Sequence, residues 1–124
     1  MQVDIPEINA ELQAAFDTYE RALVSNDVAV LDELFQNDPR TIRYGIAENL
    51  YGYGEIAAFR AARPAQGLTR SLERTQITTY GEGFGIAMTL FRRAPGKIGR
   101  QSQTWVRTLN GWRIVAAHVS LIDE

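Results

Sequence analysis

Thirteen basic residues occur in this chain, and twelve of them are arginine; Lys97 is the exception. Arginine pairs with carboxylates through two parallel N–H bonds and stays charged when buried. So lopsided a set fits a pocket for an acidic small molecule, and it also fits a genome that favours arginine codons. Arg60 and Arg63 close a helix-like segment, while Arg70 and Arg100 fall in neighbouring strand-like segments. Each could anchor an anionic substrate, and each also suits the surface or a dimer contact.

Several chemistries are excluded by what is missing. A Ser-His-Asp triad needs a histidine base, and the only histidine is His118, with no Gly-x-Ser-x-Gly turn in the chain. A zinc site needs about three His, Cys or carboxylate ligands in a cluster, and this chain has one histidine and no cysteine. No glycine-rich phosphate loop precedes a helix. Catalysis is left to tyrosine, arginine, carboxylates, His118 or the backbone. Tyr19 shares a helical face with Leu12, Phe16 and Leu23, so it should point inward, as a core tyrosine or as a cavity group. Arg43 lies between Ile42 and Tyr44 in a short strand, and alternation sends it to the face opposite theirs. Gln101 to Thr104 form a polar run in which two side chains should face inward and two outward. His118 should share a strand face with Ile114, Ala116 and Ser120, either as a cavity proton donor or as a satisfied core histidine. Glu48 and Glu55 read as capping or solvent-exposed carboxylates.

These residues need elements to hold them. Apolar spacing predicts a helix over 6–24, then a short helix over 28–35 capped by Asp27 or Asn26. A short strand over 41–45 and a return strand near Tyr51 follow, then a third helix over 54–62 that ends before Pro64. Strands are expected over 69–80, 84–93, 100–109 and 112–121. Asn110-Gly111 is the strongest two-residue hairpin signal among their turns. Helices first and long strands last imply an α+β fold with helices on the concave face of a bent, mostly antiparallel sheet, enclosing a cavity.

With 124 residues, 45% of them apolar, the chain is expected to form one domain over 1–124. No apolar run approaches the roughly 20 residues of a membrane span, and the first residues do not read as a signal peptide. The absence of cysteine makes the cytoplasm the expected compartment. A net charge of −2 argues against a general nucleic-acid binder. Apolar strands such as 114–121 suggest a homodimer formed through the outer face of the sheet.

The segments YERALVSND (19–27), RTIRYGIAENLYGY (40–53), IAAFRAARP (56–64) and GRQSQTWVR…GWRIVAAHVS (99–120) resemble one family of the NTF2-like, or SnoaL-like, cone fold. It is the AtzH-like family, which includes proteins of cyanuric acid breakdown and of oxalurate catabolism. The resemblance implies a cofactor-independent amidohydrolase acting on a small anionic ureide. The expected substrate is 1,3-dicarboxyurea, with oxalurate or a related ureide as the alternative, and a non-catalytic subunit of a larger amidase as the third. It implies Tyr19 and Arg43 as catalytic residues, with no metal. A free phenol is a poor base at neutral pH, but a guanidinium within about 4–6 Å favours the phenolate. Arg60, Arg70, Arg100 and His118 are the expected substrate-binding residues.

Overall fold

A computed structural model describes residues 1–124. Helix α1 spans Pro6–Val24, with Pro6 at a position where a missing N–H does no harm. Its buried stripe is Ile8, Leu12, Phe16, Tyr19 and Leu23, at steps of four, four, three and four. Asn26 takes a left-handed backbone (φ 53°) and turns the chain. Asp27 then caps α2 (Val28–Leu34), its carboxylate accepting from the Val30 N–H. Phe35 lies just beyond this helix, bridged to Ile114 of the last strand.

Strands β1 (Ile42–Tyr44) and β2 (Asn49–Tyr51) form the small hairpin, and α3 (Tyr53–Ala62) follows at once. The rest is a meander of β3 (Ser71–Tyr80), β4 (Phe84–Arg92), β5 (Lys97–Thr108) and β6 (Gly111–Asp123). All six strands join one sheet in the order β2-β1-β6-β5-β4-β3. Every pair is antiparallel except β1–β6, where Arg43 sits beside Ala117. The helices pack on one face through a cluster of 14 buried residues that includes Trp105, Trp112, Phe16 and Phe35. At about 1.5–3 kcal/mol for each large apolar side chain fully buried, this cluster dominates the stabilisation.

Two details depart from the sequence reading. The β5–β6 turn centres on Leu109 and Asn110, and Gly111 already pairs with Thr108. Gly111 needs the freedom of glycine there, with φ at 112°. The second departure is a bulge. Trp105 pairs with Ile114 but Thr104 pairs with Ala116, so Val115 is an extra residue on β6. Ile114 therefore faces the helices, while Ala116, His118 and Ser120 face away from them.

Candidate active site

Between the sheet and the helices lies a partly open cavity of about 220 Å³. Tyr19 and Leu23 reach it from α1, Phe59 from α3, Arg63 from just beyond that helix, and Arg43 and Glu48 from the β1–β2 hairpin. Leu68, Arg70, Phe91, Arg93, Gln101 and Val119 also line the wall. Arg43 points inward because Ile42 and Tyr44 take the outer face, where they line a separate depression with Ser102 and Thr104.

Four guanidiniums therefore meet one small cavity, and their partners differ. Arg43 donates to Glu48 Oε1 at 3.0 Å and lies over the Phe59 ring. This pair requires the glycine at 45: a Cβ there would fall 1.8 Å from Glu48 Oε1. Arg70 grips both oxygens of Glu20 at 2.9 and 2.7 Å, donates to Gln101 Oε1 at 3.0 Å and stacks on Phe91. Arg93 donates to the Leu68 carbonyl at 3.0 Å and shares the Phe91 ring. Arg63 is the least satisfied, since its Nε and Nη2 are buried without any partner in the protein. The amide nitrogen of Gln101 is likewise buried and unpartnered.

Arg63 and Arg93 are both held below the usual arginine range. Desolvation is the main cause in each, neighbouring guanidiniums add to it, and the phenol of Tyr19 opposes it. Both remain cations at neutral pH. Tyr19, 5% exposed, thus sits in a positive field, with its ring 6.4 Å from that of Phe35.

The residues expected from sequence to bind substrate divide. Arg70 lines the cavity with Tyr19 and Arg43. Arg60 does not: it is buried against α2, donating to Asp32 at 2.7 Å and lying over Phe35 at 4.7 Å, so it ties α3 to α2. Arg100 and His118 do not reach the cavity either. They line a shallower basin of about 500 Å³ on the outer face with Ser102 and Ser120, where Arg100 donates to Ser120. The Val115 bulge breaks the face-sharing expected between His118 and Ile114. Glu48 was expected as a cap or an exposed carboxylate; its Oε2 accepts from the Ala47 N–H at 3.1 Å, while its Oε1 is the partner of Arg43 on the cavity wall. Glu55 does cap, accepting from the Tyr51 N–H at 2.8 Å. No group of three or more His, Asp and Glu side chains is placed to hold a metal ion.

Arg93 was the cavity arginine that sequence reasoning passed over, whereas Arg63 was named there only as one possible anchor among several. Alternation could have found Arg93, which is two beyond the buried Phe91, whereas Arg63 follows the end of α3 with an extended backbone (ψ 137°) and lies outside the helix's spacing.

Fold and cavity together define a cone-shaped α+β domain of the NTF2-like, or cystatin-like, kind with a cationic interior. The model of the AtzH-like family matches residues 1–124, and the chain belongs to that family. Its fold is shared with a Pectobacterium atrosepticum protein of unknown function from the DUF3225 family, 58% identical. That match covers 98% of this chain and 95% of the other, with a TM-score of 0.96. A Burkholderia xenovorans protein with a cystatin-like fold is 47% identical over 100% of this chain and 98% of that one, also with a TM-score of 0.96. An NTF2-like superfamily protein from Salmonella enterica, 24% identical over 95% and 93% of the two chains with a TM-score of 0.76, shares the fold. No protein of curated function matches the sequence.

Proposed function

We propose that this protein hydrolyses an amide C–N bond of a small N-carboxylated urea, 1,3-dicarboxyurea first, as a step in cyanuric acid degradation. The observation that carries the reading is the convergence of Tyr19 and Arg43 on one cavity whose lining arginines outnumber its carboxylates four to one. Such a cavity favours a doubly anionic ligand over urea itself. Membership in the AtzH-like family supports the same substrate class.

In this scheme Tyr19 starts as the phenolate, a water adds to the urea carbonyl carbon, and the phenolate takes the proton of that water. The negative charge, first on the phenolate and then on the carbonyl oxygen, is met by fixed guanidiniums, which need no reorganisation. The C–N bond then breaks, and Tyr19 returns the proton to the departing nitrogen. The N-carboxylated fragments lose carbon dioxide in water and leave ammonia. Arg43 orients a substrate carboxylate, which exchanges with Glu48 for its guanidinium. The scheme consumes only water and uses no cofactor. A second copy of the chain packs on the outer face of the sheet, where Phe84, Met88 and Ile122 are exposed.

The test is ammonia release by the purified protein from 1,3-dicarboxyurea and from oxalurate, side by side. Faster release from 1,3-dicarboxyurea is expected. Faster release from oxalurate would move the assignment to that ureide. No release from either, together with co-purification of a larger amidase, would make the protein a non-catalytic subunit.

A further inference from the structure

Three arginines of this chain hold carboxylates in one way. Arg40 on Asp38, Arg70 on Glu20 and Arg107 on Glu11 each donate from Nε and Nη2, the two N–H groups along one edge of the guanidinium plane. That edge matches the two oxygens of a carboxylate. Arg63 also lines the cavity, and its Nε and Nη2 are buried with no partner in the chain. Gln101 reaches the same cavity from the sheet. It is 3% exposed, its oxygen is taken by Arg70, and its amide nitrogen has no partner. Buried N–H groups without partners are rare in folded proteins, and here they belong to two side chains that line one small cavity from opposite layers.

We propose that Arg63 Nε and Nη2, with Gln101 Nε2, form the seat of a non-reacting carboxylate of the substrate. Arg93, which meets no carboxylate in the chain, adds positive charge beside it. Arg43 and Arg70 differ from Arg63 because each already holds a carboxylate, Glu48 through Nη1 of Arg43 and Glu20 through Nε and Nη2 of Arg70. The seat makes a negative charge at one end of the ligand a condition of binding. A neutral amide of the same shape leaves the desolvated guanidinium uncompensated and is rejected. The inference rests on the cavity being the substrate site, but it does not depend on Tyr19 being the base.

The experiment uses malonate as a probe and malonamide as its neutral counterpart, on the full 15N-labelled chain. Malonate is expected to move the Arg63 Nε–H resonance saturably, and malonamide is not. In Arg63→Met and Gln101→Leu the malonate dissociation constant should rise at least about tenfold. In Arg100→Met it should stay within about twofold of the original, because Arg100 lies on the outer face of the sheet. Circular dichroism checks that each variant folds. Malonate binding to Arg63→Met as tight as to the original protein overturns the seat, as does a wild-type Arg63 resonance that malonate leaves unmoved. Malonate binding that depends on Arg63, alongside full turnover in Tyr19→Phe, would keep the seat and remove the catalytic assignment instead.

Discussion

Arg63 is an expensive residue to keep. Its folded titration point lies below its ordinary one, so its charged form is less favourable in the native state than in the unfolded chain at every pH where arginine is charged. Removing the charge relieves that penalty across the neutral range. Arg63→Met should therefore raise stability by about 1 kcal/mol, a few degrees in Tm, while weakening substrate binding. Paired thermal melts and KM measurements check both signs; a lowered Tm with unchanged KM would contradict them. Tyr19 and Arg43 could be aimed inward from sequence because helical spacing and strand alternation are local rules that held at both positions. Arg60, Arg100 and His118 could not be placed that way. What decides Arg60 is a carboxylate 28 residues away on another helix, and what decides His118 is one extra residue at Val115.

The helices and strands were the most readable level. Helix α1 runs over the predicted residues because its apolar steps, its leading proline and the Ser25-Asn26-Asp27 stop all agree. The parallel pairing of β1 with β6 was not readable, since nothing near residue 43 encodes a partner near residue 117. Contacts between elements also explain why Gly99 is glycine: a Cβ there would strike the Phe91 ring at 2.1 Å, and that ring carries both Arg70 and Arg93. The link from α2 to β1 rests on Asp38, which accepts from the Arg40 N–H at 2.7 Å and from the Arg40 side chain. These bonds hold its carboxyl at about 2, below the ordinary 3.8. A lowered carboxylate stabilises the fold above its unfolded value and loses that effect as pH falls through the folded one. Asp38→Asn should thus be less stable than the original at pH 7, with the difference closing between about pH 4 and pH 2. Denaturant midpoints across that range measure it, and a constant difference would contradict the assignment.

The molecule as a whole is a cone with a charged interior and a partly apolar back. No helix is long and apolar enough to cross a membrane. The outer sheet face exposes Phe84 at 40%, Met88 at 49% and Ile122 at 40%, while Arg60, Asp32 and the aromatic core close the other layer. A homodimer across that face would bury these side chains. Sedimentation should give a mass near twice 13.9 kDa, and Met88→Glu should shift it toward the monomer while ammonia release persists. A monomeric original protein would contradict the arrangement.

The central claim is that a phenol held among guanidiniums does the chemistry. The most direct measurement is the turnover of Tyr19→Phe on 1,3-dicarboxyurea, with its melting curve and malonate affinity recorded beside it. The account predicts a loss of about 100-fold or more in kcat, with the fold kept. A variant that turns over at the original rate would remove Tyr19 from the reaction and contradict the account.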